Sequence, residues 1–279
     1  MSLDIADLKA RHTRHFRADP GRRVRIAATL VGLVALYVYG IVSFDVPWSR
    51  LLSGFRQLGW FVAAMIPPDP GGHLVEYLQA LGQTLAIAWL GTLLGALFAL
   101  PFGLLGAHNI VASAWARLPF KRLFDVVRGI DTLIWALIWI NVVGLGPFAG
   151  VLAIATSDFG ALGKLFAEII ESADRREAEG VRAAGGGRLA QVRFGVWPQV
   201  APVIAGQILY FIESNTRSAT IIGVVGAGGI GLQLSEQIRV LEWRQVSFIV
   251  LLILISVAAI DFISSRLRAA MAGKSAARA

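Results

Sequence analysis

Residues 76–105 read EYLQALGQTLAIAWLGTLLGALFALPFGLL, thirty positions whose only charged side chain is Glu76 at the start. A helix needs about 20 mostly apolar residues to cross the hydrocarbon core of a bilayer. This stretch exceeds that length, and its natural solvent is lipid. Five more meet the same standard: 26–44, 129–146, 148–166, 199–223 and 245–264. Only Gly144-Leu145-Gly146-Pro147 separates the 129–146 and 148–166 stretches, which predicts a tight helical hairpin. Residues 48–66 are apolar with Arg50, Arg56 and Gln57 to one side, the pattern of an interfacial amphipathic helix stopped by Pro67-Pro68. A further, poorer span is the alternative for that segment. The reading is an all-α polytopic membrane protein with about six transmembrane helices and one periplasmic interfacial helix.

Composition agrees. Of the 279 residues, 56% are hydrophobic and 16% charged, with a mean hydropathy of +0.66. Soluble domains average about 45–50% apolar and about 25% charged. Cysteine is absent, which excludes disulfides and thiolate metal sites. The net charge of +8 sits between and beyond the apolar blocks, which argues against nucleic acid as a partner. The first block follows a basic arm, Met1 to Arg25, and no small-residue cleavage site closes it, so it reads as a retained helix. Asp4, Asp7 and Asp19 count against a mitochondrial presequence.

Loop charge sets the orientation. With the amino terminus inside, the inner segments carry twenty Lys and Arg and the outer ones four: Arg50, Arg56, Arg239 and Arg244. Both termini are then cytoplasmic. Lys164 and Arg217 fall within helix ends.

The longest inner loop, EIIESADRREAEGVRAAGGGRLAQVR (168–193), is charged and helix-prone. It faces water, either as a solvated connection or as a seat for a soluble partner.

Spacing in this loop resembles the EAA signature of ATP-binding-cassette importer permeases. Glu179-Gly180-Val181, Gly185 and Gly195-Val196-Trp197-Pro198 fall in its register, with Gly180 and Val181 replacing two alanines and Gly195 and Trp197 an apolar pair. The segments GTLLGALFALPFGLLGAHN (91–109), GLGPFAGVLAIA (144–155), GKLFAEIIE (163–171) and WPQVAPVIAGQILYFIESNTRSATIIGVVGAGGIG (197–231) resemble phosphonate transporter permeases and their phosphite-importing relatives. The resemblance implies a type I importer fold, two permease copies (identical or paralogous), two separate ATPase subunits holding ATP and Mg, and a periplasmic substrate-binding protein. It implies no cofactor on this chain and no catalytic residue. It divides the chain into a cytoplasmic arm (1–25), a first span with the interfacial helix (26–74), a transmembrane core (75–265, coupling loop about 168–197) and a cytoplasmic tail (266–279). It places Glu179, Ala183 and Gly185 in the ATPase-coupling element. Arg175, Arg176 and Arg182 lie nearby, either as contact charges or simply solvated.

Ionisable groups within spans are costly and are usually paired or functional. Glu213, Ser214, Asn215, Thr216, Arg217 and Ser218 form one polar cluster. Glu213 and Arg217, four apart, share a helix face and are placed to pair. The alternative is that Arg217, Ser214 and Ser218, with Glu213 and Asn215 beside them, line a central cavity for the anion. Counted from Pro198, Arg217 lies about 28 Å along the helix, close to the outer face. Asp158 falls near mid-membrane, where pairing with another helix or protonation suits it better than a substrate role. Asn141 is a candidate interhelical hydrogen-bonder. His12, His15, His73 and His108 show no metal spacing.

Two motifs are false friends. Gly226-Ala227-Gly228-Gly229-Ile230-Gly231 fits G-x-G-x-x-G but follows a membrane helix, not a strand. A tight re-entrant-like turn beneath the binding protein is expected, with an anion nest of amides as an extra. Gly273-Lys274-Ser275 lacks the earlier glycine of a P-loop, where Arg268 stands. Rival classes are a membrane enzyme, for which no His, Asp or Glu cluster is found, a secondary transporter, and a permease for another small anion.

Overall fold

The computed structural model describes residues 20–44 and 48–276. Asp4, Asp7, Asp19, His12 and His15, with most of the basic arm, lie outside them. Every regular element among the described residues is a helix: α1 Pro20–Ser43, α2 Trp48–Ala64, α3 Leu74–Gly106, α4 Ala114–Arg128, α5 Thr132–Val143, α6 Pro147–Glu171, α7 Arg175–Ala183, α8 Trp197–Ile222, α9 Ile230–Arg239 and α10 Trp243–Ala276. Five helical runs are long and apolar enough to span a membrane, and six if α4 and α5, bent by 89°, make one broken span.

The chain divides into two units, Met1–Phe61 and Val62–Ala279. In the first, α1 has no buried residue between Gly21 and Ser43. An apolar helix bare on all sides suits lipid. The 17-residue α2 ends where expected, just before Pro67.

The second unit is built on α3 and α6, which run parallel. Along α3 a Cβ on Gly91 would lie 2.7 Å from the Ile154 Cβ, one on Gly95 2.8 Å from the Asp158 Cβ, and one on Gly103 3.0 Å from the Phe166 Cβ. The absent side chains let two backbones approach closely, the means by which helices associate where lipid offers no hydrophobic drive. Ala96, Ala99, Leu162, Phe166 and Ile170 fill the half of this seam nearer the C-terminal ends of α3 and α6, joined by Val200 and Ile204 of α8. Ile87, Ala88, Ala153, Ile154, Ala219 and Ile222 fill the other half.

The expected hairpin is present but its first arm differs. Residues 106–128, expected as an inner loop, contain the 15-residue α4. Lys121 holds Glu171 at 3.0 Å and Lys164 holds Asp125 at 2.7 Å, tying α4 to the inner end of α6. The chain then turns at Gly129–Asp131, where the Asp131 carboxylate accepts from the Leu133 amide at 2.8 Å and caps α5. With 12 residues, α5 is about 18 Å long, short of a full span. Its second arm, α6, opens with Pro147 in its first turn, as the punctuation predicts.

Candidate coupling and translocation sites

Asp174 caps α7, its carboxylate accepting from the Arg176 amide at 3.0 Å. Gly185, at φ +86°, reverses the chain after α7, as expected of a residue free of a Cβ. A helical turn at Arg188–Ala190 then leads through a π-helical turn, Gln191–Val196, directly into α8. The helix-prone loop thus holds one separate helix, α7, and its stretch after Gly185 is the base of α8. Pro198, in the first turn of α8, has no amide hydrogen. The hydrogen-bond ladder already widens there, and the Trp197 amide reaches back to the Val192 carbonyl.

Gly195, which departs from the EAA pattern, has a structural cause. A Cβ there would lie 2.7 Å from the Ala178 Cα, so α7 rests directly on the π-helical turn. Gln199 locks the two together. It accepts from the Asp174 amide at 2.9 Å and donates to the Asp174 carbonyl at 3.2 Å and to the Gly195 carbonyl at 2.6 Å. Sequence reasoning missed Gln199 and Asp174, since a glutamine after Pro198 carries no pattern of its own. Arg175, Arg176, Glu179, Arg182, Ala183 and Gly185 are all exposed in this chain. A cavity of about 290 Å³ opens beside α7, lined by His108, Asn109, Asp174, Arg175, Glu179 and Arg182 among others. Leu189, 88% exposed, extends the same surface with an apolar group.

The polar cluster of α8 is divided among its faces. Glu213 is buried, but its ion-pair partner is Arg268 of α10, at 2.7 Å, and not Arg217. Arg268 also donates to the Ser264 hydroxyl at 2.7 Å. The same-face argument is sound for Glu213 and Arg217, but α10 crosses α8 and covers Glu213 first. Asn215 is buried on the far side. Its amide donates to the Asp158 carboxylate at 2.6 Å and to the Thr92 hydroxyl at 2.8 Å. Asp158 is therefore engaged with another helix, as its depth suggests. Thr216 is buried too, its hydroxyl donating to the Ile212 carbonyl at 3.0 Å.

Arg217 is exposed and makes no ion pair among the described residues. Tyr210 and Ile221 share its face and are 51% and 59% exposed, while Ser214 and Ser218 are half-buried at its margin. Its depth differs from expectation. Asn215 touches Asp158, the twelfth of 25 residues in α6. Arg217, two residues on, is displaced by only about 3 Å along the axis and sits level with the middle of the bundle. The first turns of α8 pack against α7, so counting from Pro198 places everything after it too far out.

The glycine run is a turn, as expected. Gly226, Gly228 and Gly229 have φ of +106°, +82° and +76°, and the Gly146 amide donates to the Gly226 carbonyl at 3.0 Å. Gly231 is buried, with the Val224 amide 2.9 Å from where its Cβ would stand. The anion nest is not open. The Gly229 amide donates to Gln83 Oε1 and the Ile230 amide to Thr84 Oγ1, both at 2.8 Å, so α3 caps α9. Asn141 also departs from expectation, donating to the Leu137 carbonyl of its own helix at 2.8 Å.

Comparison with known proteins adds lineage. Residues 99–274 match the family described as "Binding-protein-dependent transport system inner membrane component". HtxC of Stutzerimonas stutzeri, provisionally named a phosphite transport system permease protein, is 36% identical over 252 residues, 90% of this chain and 89% of its own length. The phosphite transport system permease protein PtxC of the same organism is 32% identical over 269 residues, 95% of this chain and 97% of its own. The phosphate-import permease protein PhnE of Mycolicibacterium smegmatis is 34% identical over 272 residues, 94% of this chain and 50% of its own. Among solved structures, an inward-facing form of the MetNI methionine ABC transporter matches with a TM-score of 0.64 at 20% identity, covering 73% of this chain and 99% of that one. At that identity the likeness is one of fold, that of a type I ABC importer permease. The chain belongs to the family of binding-protein-dependent transport system inner membrane components.

Proposed function

We propose that this chain is the membrane-spanning subunit of an ATP-driven importer for phosphonate-type oxyanions, phosphonate, phosphite or hypophosphite, across a bacterial inner membrane. The observation that carries the reading is Arg217, exposed level with the middle of the bundle beside Ser214 and Ser218. A bare guanidinium at that depth needs an aqueous or protein-lined surround, because lipid solvates it poorly. Its planar fork suits two oxygens of a tetrahedral oxyanion. The relatives named for phosphite, similar over nine-tenths of this chain or more, support that class of cargo. One relative is named for phosphate, which shares the tetrahedral oxyanion chemistry.

Transport then proceeds by alternating access. Two ATPase subunits, holding ATP and Mg, seat against α7 and the base of α8. Glu179, Ala183 and Gly185 form the contact, with Arg176 and Arg182 at its rim. ATPase closure moves α8 as a rod, since no break separates its base from the Arg217 face. A periplasmic binding protein delivers the anion above the Gly226–Gly231 turn. A second permease, identical or a paralogue, supplies the other wall of the cavity. Arg217, Ser214 and Ser218 face this pathway, while Glu213 and Asn215 brace the helix that carries them. Both termini lie in the cytoplasm, consistent with twenty inner against four outer basic residues.

The test is uptake of radiolabelled phosphite by proteoliposomes containing the assembled importer. Uptake should require both ATP inside and binding protein outside. Uptake that persists without either supports secondary transport and overturns the reading.

A further inference from the structure

The three-helix contact at Asp158 sits behind the Arg217 face, and Asp158 itself has no part in the function proposed above. Asp158 is 3% exposed, Asn215 6% and Thr92 0%. Asn215 spends both of its amide hydrogens there, one on the Asp158 carboxylate and one on the Thr92 hydroxyl. The carboxamide is thus held from α6 and from α3 at once. Gly95 keeps the site open, since a Cβ there would lie 2.8 Å from that of Asp158.

Helix geometry links this anchor to the opposite face. Successive residues of an α-helix are rotated by about 100°, so Asn215 and Arg217 point in nearly opposite directions. Fixing Asn215 inward therefore fixes Arg217 outward. On that side the other buried groups, Ile212, Ala219 and Ile222, are apolar and indifferent to small turns about the helix axis, and the one other directional hold on this stretch of α8 is the Glu213–Arg268 pair with α10. A buried polar bond has direction, and an apolar contact has almost none.

We propose that Asp158 is a positioning residue. Acting through Asn215, it sets the rotation of α8 and so aims Arg217 into the pathway. This inference rests on the reading of the Arg217 face as pathway-lining. Asp158 touches no substrate; it holds the residue behind the one that does.

Cysteine is absent from the chain, so single cysteines report cleanly. Tyr210→Cys reports the Arg217 face, and Ala219→Cys, at a position 0% exposed, reports the buried side. Each is labelled with a membrane-impermeant maleimide in the assembled importer, and the ratio of rates at 210 and 219 is measured. Asp158→Leu, which keeps the bulk and removes the acceptor, should lower that ratio about tenfold, the shift allowed by losing one buried hydrogen bond. Asp158→Asn, which still offers an oxygen to Asn215, should restore most of it. If Asp158→Leu fails to accumulate, Thr92→Val combined with Asp158→Asn removes one acceptor at smaller cost, and the ratio should fall by less but in the same direction. A ratio unchanged in Asp158→Leu, or in the Thr92→Val, Asp158→Asn double variant where only that one accumulates, overturns the positioning role. No labelling of Tyr210→Cys with Asp158 intact instead overturns the pathway reading beneath it, so the two failures are separable.

Discussion

Arg268 of α10 donates to Glu213 of α8 at 2.7 Å, so Arg268 and Arg217 have separate tasks. One neutralises a carboxylate that is 9% exposed, and the other is left bare. That division turns a cluster of polar residues into a buried, paired side and an exposed side.

Removing Arg268 leaves the Glu213 carboxylate buried without its counter-ion. Arg268 is itself 30% exposed, so solvent screens part of the pair. Arg268→Ala should cost about 1–3 kcal/mol, and pairing it with Glu213→Gln should recover a good part of that. Thermal unfolding of the purified permease in nanodiscs checks both, and a double variant no more stable than Arg268→Ala contradicts the pairing.

Gly195 should be intolerant of any side chain. A Cβ would press on the Ala178 backbone, which has nowhere to retreat while Gln199 clamps the N-cap of α7. Gly195→Val should lift α7 from the π-helical turn at a cost of about 1–3 kcal/mol. The expected result is ATPase activity that no longer rises with loaded binding protein, measured with the permease still in the membrane. Normal stimulation in Gly195→Val overturns the rigid seating of α7.

The caps that α3 supplies to α9 are local and separable. Gln83→Leu and Thr84→Val each leave a backbone amide of the glycine turn without an acceptor, a loss of about 1 kcal/mol apiece. Hydrogen exchange at Gly229 and Ile230 should quicken about fivefold in each variant, while the α3–α6 seam stays protected. Unchanged exchange at those two amides contradicts the capping.

Much of this was legible in the sequence, and the misses share a cause. Length and apolarity alone predict the spans, because lipid forces every backbone group to pair within its own helix. Pro67-Pro68 and Gly146-Pro147 mark ends that the structure places where expected, since a missing amide hydrogen acts locally. The EAA register finds α7 and the Gly185 bend because a positive φ at a residue without a Cβ is an equally local effect. What sequence could not supply was helix rotation and depth. Glu213 with Arg217 was a sound i, i+4 pair, but α10 arrives from 55 residues away and takes the glutamate. Counting the span from Pro198 places Arg217 too far out, because the apolar run is 40 residues long, from Arg188 to Ala227, and its first turns pack on α7. α4 escaped notice because its Lys121 and Arg122 read as loop charge, although Lys121 in fact holds Glu171.

Arg217→Ala in the assembled importer tests the central claim most directly, with Arg217→Lys as its companion. At equal membrane levels, phosphite uptake per permease should fall tenfold or more in the alanine variant, about the value of a charge-assisted hydrogen bond, with lysine restoring only part of it. Uptake by Arg217→Ala equal to the parent contradicts the assignment of this face to the anion.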